Sequence, residues 1–146
     1  MKIALLYSSQ HGRTRKAVQE ALPRLAAQAD LFDAKDLPTA AQLLAYQVWL
    51  VFTPTYGDEE LQLDMENFLR GFSADLAGRR FAICELGNYG GYDDFSFGAL
   101  HIVRRRLLEL NGVELCVPLS LDSMPRISWE HLHQWVAVVN QHLAAS

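Results

Sequence analysis

The stretch KIALLYSSQHGRT, residues 2–14, decides the fold class. Lys2 to Tyr7 form a compact apolar run of strand length, and a small polar loop that contains Gly12 follows it directly. Over residues 13–28 apolar side chains recur at helical spacing, with a bend or an early break expected at Pro23, because proline has no N–H to donate. A strand, a loop and a helix in direct succession form the repeating unit of α/β folds.

The same alternation continues along the rest of the chain. Apolar runs predict further strands at residues 29–32, 47–52, 81–86 and 113–119, and amphipathic or capped segments predict helices at residues 37–45, 60–72, 97–110 and 128–143. The central strands are nearly all apolar, as strands covered on both faces must be. We therefore predict one α/β domain over residues 1–146, with a five-stranded parallel sheet and helices on both of its faces.

Composition and charge narrow the class of protein. The chain has 146 residues, of which 50% are hydrophobic, and a formal net charge of -4, which argue against a disordered chain and a general nucleic-acid binder. Its apolar runs are too short for a membrane span or a signal peptide, which predicts a cytoplasmic protein. Cys84 and Cys116 lie in apolar, strand-like runs, where we expect reduced core thiols and neither a redox pair nor a metal site.

Three loops follow the most apolar strands, at the edge of the predicted sheet where ligands of α/β proteins bind. In the first, residues 8–14, a helix N-terminus with hydroxyls and a glycine suits a phosphate, and an ordinary turn capped by Thr14 fits the loop equally well. In the second, residues 53–60, Tyr56 beside Gly57 can lie against a flat ligand or cover the sheet edge. The acids at residues 58–60 also suit the first turn of a helix.

The third loop, residues 87–94, carries Tyr89 and Tyr92 among three glycines and two aspartates. Glycines allow backbone groups to approach the edge of a ligand, and an exposed tyrosine ring can stack on its face. Taken together, the three loops offer a phosphate cradle and two aromatic walls. This combination suits a phosphorylated planar cofactor.

These residues resemble the motifs of one family, the short-chain flavodoxins, over essentially the whole chain. The first loop resembles the flavodoxin phosphate loop in Tyr7, Ser9, Gly12 and Thr14. The second is similar to a family segment in Pro54-Thr55-Tyr56, Glu60-Leu61-Gln62 and Asp64, and the third is similar to another in residues 87–94. The resemblance implies an α/β, doubly wound, flavodoxin-like sandwich with strand order 2-1-3-4-5 and non-covalently bound FMN.

The resemblance also assigns residues to the cofactor. The FMN phosphate would be held by Ser9, Gln10, His11, Gly12, Arg13 and Thr14. Thr53 and Thr55 would lie near the ribityl chain and the phosphate, with Pro54 between them. Tyr56 and Tyr92 would stack on the two faces of the isoalloxazine, and the Gly57-Asp58 peptide would change orientation with its redox state. The pyrimidine edge would meet Asn88 and Tyr89, with Gly87, Gly91 and Asp94 beside them.

The function that the resemblance implies is a low-potential carrier of single electrons, an electron-transfer flavoprotein more than a true enzyme. It implies no metal and no catalytic residue in the protein, because the flavin supplies the chemistry. Redox proteins, a reductase and an electron acceptor, would dock at the acidic rim near Asp58, Glu59, Glu60 and Asp93. We expect a monomer that binds neither nucleic acid nor membrane.

Three alternatives stay open at this point. They are a flavodoxin-like accessory flavoprotein, a small FMN-dependent quinone reductase and a flavodoxin-fold binding module that has lost the flavin. His11 stands where the family usually has Thr or Ser, and Asn88 stands where Asp is common, so both positions bear on FMN binding. A receiver domain and a low-molecular-weight tyrosine phosphatase fit poorly, since the first loop has neither paired acids nor a cysteine.

Overall fold

The computed structural model describes residues 1–9, 12–56, 60–87, 98–122 and 126–145. Within these ranges the strands are β1 (Lys2–Tyr7), β2 (Gln28–Asp33), β3 (Val48–Tyr56), β4 (Glu60–Leu61), β5 (Arg80–Gly87), β6 (Val113–Glu114) and β7 (Leu119–Asp122). The helices are α1 (Arg13–Ala21), α2 (Ala40–Leu43), α3 (Leu63–Gly71), α4 (Gly98–Glu109) and α5 (Trp129–Ala144). Short 3₁₀ turns follow α1 and β2, at Leu22–Arg24 and Ala34–Asp36.

The sheet has the strand order that the family resemblance implies. The order of the parallel strands is β2-β1-β3-β5, and both β6 and β7 pair with β5. Leu5 of β1, for example, lies between Leu31 of β2 and Leu50 of β3. Because β6 and β7 together fill the fifth position, parallel to β5, the predicted order 2-1-3-4-5 is confirmed.

Helices cover both faces of the sheet, since successive side chains of a strand point to opposite sides. On one face, Ile3 and Leu5 of β1 belong to the same core as the buried side chains of α1 and α5. On the other, Ala4 and Leu6 belong to the core formed with α3 and α4. Four consecutive residues of β1 are therefore buried, and the predicted α/β sandwich with two helical layers is confirmed.

Local signals in the sequence place several helix ends correctly. α1 ends at Ala21 and passes into a 3₁₀ turn that contains Pro23, so the predicted break is present. Asn111, with a positive φ of 69°, follows the end of α4 in the left-handed conformation that asparagine tolerates. Ser128 precedes α5, and its Oγ accepts a hydrogen bond from the N–H of His131 at 3.4 Å.

Several predicted elements differ from the structure. The helix predicted over residues 37–45 spans only Ala40–Leu43, behind the cap of Thr39. The strand predicted over residues 47–52 continues to Tyr56, so the first residues of the predicted second loop belong to β3. The helix predicted over residues 60–72 begins at Leu63, because Glu60 and Leu61 instead form β4 and pair antiparallel with the end of β3. Gln62 then caps the helix through its Oε1, which accepts from the N–H of Met65 at 3.0 Å. The strand predicted over residues 113–119 is divided into β6 and β7, and the gap contains Pro118, which cannot donate to a sheet.

Candidate functional site

The carboxyl ends of β1 and β3 are tied together at the edge where the first two predicted loops begin. The N–H of Ser8 donates to the carbonyl oxygen of Phe52 at 3.1 Å. The Oγ of Ser8 and the Oγ1 of Thr53 are 3.1 Å apart and form a hydrogen bond in a fully buried position. This pair fixes the start of the first loop against strand β3 without any ligand.

Gly12 begins helix α1 with a backbone conformation that favours glycine. Its φ is 81°, in the left-handed region, and its N–H donates to the Oγ of Ser9 at 3.2 Å. Its carbonyl oxygen accepts from the N–H of Lys16 at 3.0 Å and so starts the helix. Apart from its neighbours in the chain, no described residue has an atom within 4 Å of where a Cβ of Gly12 would stand, so the glycine is required by its φ and not by crowding.

Thr14, in the first turn of α1, carries a buried hydroxyl. The residue is 1% exposed, and within the described ranges its side chain makes no hydrogen bond. A buried polar group without a partner is uncommon and costs free energy, so such a group calls for an explanation. An oxygen of a ligand held over the N-terminus of α1 would satisfy it, which is an observation in favour of a phosphate at this position.

The N-termini of the other helices are closed by side chains of the protein itself. Thr39 caps α2, Gln62 caps α3 and Ser128 caps α5, each by accepting a backbone N–H. At the first turn of α4, the side chains of Thr55 and Glu85 accept hydrogen bonds from backbone N–H groups. Helix α1 differs, because its N-cap is a glycine and its first turn contains no acidic residue. Within the described ranges, no side chain caps this helix end, and such an end suits an anion.

Two backbone N–H groups in the first turn of helix α4 donate to side chains on the neighbouring strands β3 and β5. The Oγ1 of Thr55 accepts from the N–H of Ala99 at 3.1 Å, and the Oε2 of Glu85 accepts from the N–H of Leu100 at 3.0 Å. Glu85 also accepts from the Oγ of Ser120 on β7 through its Oε1, at 3.3 Å. Glu85 is not among the predicted site residues, although an acid inside the apolar run of residues 81–86 is a signal that points to it.

The predicted site residues fall into two groups. Those within the described ranges are Ser9, Gly12, Arg13, Thr14, Thr53, Pro54, Thr55, Tyr56 and Gly87, all at the carboxyl edge of the sheet or at the start of α1. The hydroxyls of Thr53 and Thr55 bond to Ser8 and Ala99 respectively. Outside the described residues lie Gln10, His11, Gly57, Asp58, Asn88, Tyr89, Gly91, Tyr92 and Asp94, so their assignments stay predictions.

The two cysteines belong to the core on the face of the sheet that α1 and α5 cover. Both Cys84 and Cys116 are free and buried, as expected from the sequence. Burial raises the pKa of the Cys84 thiol, with a smaller contribution from the neighbouring charge of Glu85. Burial also raises the pKa of Cys116, to about 11. In the part of the chain that the structure describes, no group of histidine, cysteine or acidic side chains could hold a metal ion.

Comparison with known proteins decides the family. A family model described as Flavodoxin matches residues 5–135. The chain belongs to the flavodoxin family. No curated protein matches this flavodoxin by sequence. Among its described helices, none is both long and apolar enough to cross a lipid bilayer.

Solved flavodoxin structures share the fold of this flavodoxin over nearly its full length. Oxidised flavodoxin 2 from Bacillus cereus is 25% identical, with a TM-score of 0.77, and the match covers 97% of this chain and 99% of that one. A cysteine-to-serine mutant of flavodoxin from Pseudomonas aeruginosa is 24% identical, with a TM-score of 0.82 and 99% of each chain covered. A flavodoxin from Fusobacterium nucleatum, solved with bound flavin mononucleotide, is 15% identical, with a TM-score of 0.78 and coverage of 96% and 97%.

Proposed function

We propose that this flavodoxin binds FMN without a covalent bond and carries single electrons between redox proteins. The observation that carries the proposal is the N-terminus of α1, where the N-cap is a glycine and the buried hydroxyl of Thr14 lacks a partner within the described ranges. A dianionic phosphate would satisfy that hydroxyl and the positive end of the helix together. When bound, the flavin ring supplies the electron chemistry.

In this proposal the protein's first loop holds the phosphate. Ser9 already orders the turn by accepting from Gly12, and Thr14 donates its hydroxyl to a phosphate oxygen. Arg13 is exposed at the same helix end and adds positive charge there. Gln10 and His11 complete the loop as further donors, and an N–H of the His11 ring replaces the hydroxyl that the family usually has at this position.

The flat ring would lie between the second and third loops. Tyr56 stacks on one face and Tyr92 on the other, while Tyr89 meets the pyrimidine edge. Tyr92→Ala should therefore raise the Kd for FMN more than Tyr89→Ala does, because stacking removes more ring surface from water than an edge contact. Equal or reversed effects in an FMN titration would show that the stacking residue is misassigned.

Electron transfer needs partners, and we propose that they dock at the acidic rim. Asp58, Glu59, Glu60 and Asp93 supply the negative charge of this rim, which would attract a basic surface on a reductase or an electron acceptor. Encounter with such a partner should slow as salt concentration rises, since salt screens exposed charges. We further propose that the carrier works as a monomer in the cytoplasm.

The decisive test is the visible spectrum of the purified protein. We expect a yellow protein that releases FMN, identified by mass, when it is denatured, and apoprotein that takes FMN up again. Reduction in small steps should then show two separate one-electron stages, as expected of a carrier. A colourless protein that does not take up added FMN would contradict the proposal and favour a binding module without flavin. Direct two-electron reduction would favour a reductase.

A further inference from the structure

Glu85 is a buried acid at the ligand-binding edge that the proposed function does not use. It is 1% exposed, near the carboxyl end of β5, in a strand whose next residues are buried as well. Both carboxylate oxygens accept hydrogen bonds, one from the N–H of Leu100 and the other from the Oγ of Ser120. Burying a carboxylate is costly even when it is hydrogen-bonded, so its position calls for a physical account.

In its ionised form, Glu85 would reverse the charge at the start of α4. A helix N-terminus carries roughly half a positive elementary charge, and a full negative charge in its first turn more than cancels it. Since Leu100 is the third residue of α4, Glu85 sits directly at this end of the helix. Helices α1 and α4 would then present opposite signs at the same edge of the sheet, positive at Gly12 and negative beside β5.

We propose that Glu85 lowers the reduction potential of the bound flavin, an inference that rests on the proposed function. The strand ends at Gly87, two residues beyond Glu85, which is a distance of about 7 Å along an extended chain. Reduction adds negative charge to the ring that this edge would hold. For two unit charges about 10 Å apart and an effective dielectric constant of about 20, Coulomb's law gives a roughly tenfold change in the equilibrium constant for adding the second charge.

The proposal is tested with Glu85→Gln, which removes the charge and keeps the hydrogen bonds. A glutamine oxygen can accept from the N–H of Leu100, and its amide can donate to the Oγ of Ser120. The matched control is Glu109→Gln, which removes a charge from the far end of the same helix, where the side chain is half exposed and paired with Arg105. Both variants need three measurements: the Kd for oxidised FMN, the midpoint potentials of bound FMN, and the exchange rate of the Leu100 N–H in apoprotein.

We expect Glu85→Gln to bind fully reduced FMN about tenfold more tightly relative to oxidised FMN. Since full reduction transfers two electrons, this tenfold ratio corresponds to a rise of about 30 mV in the two-electron midpoint potential. Glu109→Gln should stay within about twofold of the wild type, because exposed charges are screened by water and salt. The Leu100 N–H should remain protected from exchange in both variants, which shows that the start of α4 is intact.

Several outcomes would overturn the inference. One is an unchanged potential in a folded, FMN-loaded Glu85→Gln protein, and another is an equal shift in Glu109→Gln. Weaker FMN binding with faster exchange at Leu100 and no change in potential would show a purely structural role. If Glu85→Gln does not fold, Glu85→Ala and Glu85→Asp are measured in its place. Only the alanine variant removes the carboxylate, so only it should raise the midpoint potential of bound FMN. Equal shifts in the two variants would refute the inference. A wild-type protein that binds no FMN would instead defeat the proposed function itself.

Discussion

Replacing Thr14 by Val should change apoprotein stability and FMN affinity in opposite directions. Valine has nearly the shape of threonine and is also β-branched, so the first turn of α1 keeps its geometry. The substitution removes a hydroxyl that is buried and, among the described residues, has no hydrogen-bond partner. In apoprotein it therefore removes an unfavourable group, whereas in the FMN complex it removes a donor to a charged phosphate.

The magnitudes follow from the burial of Thr14. Leaving a buried polar group unpaired costs about 1–3 kcal/mol, so the apoprotein of Thr14→Val should gain about 1 kcal/mol in free energy of unfolding. A hydrogen bond to a charged group contributes about 1.5–3 kcal/mol, so the Kd for FMN should rise about 10- to 150-fold. The two effects have one physical origin, which is the missing partner of this hydroxyl.

The assay combines urea unfolding of apoprotein with a fluorescence titration of FMN. Thr55→Val is the matched control, because the Oγ1 of Thr55 accepts from the N–H of Ala99 at 3.1 Å and its loss should destabilise apoprotein by about 1 kcal/mol. An unchanged FMN affinity in Thr14→Val would refute the phosphate role of Thr14. A loss of apoprotein stability like that of Thr55→Val would show that the hydroxyl has a structural partner.

Other predictions concern hydrogen bonds, titration and thiol reactivity. Ser8→Ala should lower the free energy of unfolding by about 1–3 kcal/mol, because it leaves the buried hydroxyl of Thr53 unpaired. In urea unfolding, the double variant Ser8→Ala/Thr53→Val should lose less stability than the two single variants lose together. Additive losses would contradict the pairing. The side-chain hydrogen bond from Asn111 is the main cause of the lowered pKa of Asp75. Because the folded pKa lies below the unfolded value, Asp75→Asn should destabilise the protein near pH 7 and progressively less below about pH 4, and a loss that does not vary with pH would refute this. Cys116, whose pKa is raised to about 11, should react with iodoacetamide at pH 8 more than about 100-fold more slowly in folded than in unfolded protein, as followed by mass.

Local patterns in the sequence were sufficient to predict several of the strands and helix ends that the structure shows. The run from Ile3 to Leu6 is apolar at every position, which is typical of a strand that is covered on both faces, and all four residues are buried. Pro23 and Ser128 act through their own backbone or side chain, so the break after α1 and the start of α5 were also readable. The amphipathic pattern failed at Glu60 and Leu61, whose conformation depends on pairing with β3, which no local pattern records.

The sequence by itself determined the α/β class and the family resemblance, and it predicted three loops at the strand ends, because these depend on residue type and spacing along the chain. Only the tertiary structure decided which polar groups in those loops are already satisfied. Thr53 is paired with Ser8, which is 45 residues away along the chain, whereas the buried hydroxyl of Thr14 finds no partner within the described ranges. Likewise, Glu85 became a negative charge at the start of α4 only when β5 and that helix came together. Hydrogen bonding and burial are properties of the surroundings in space, and the order of residues does not state them.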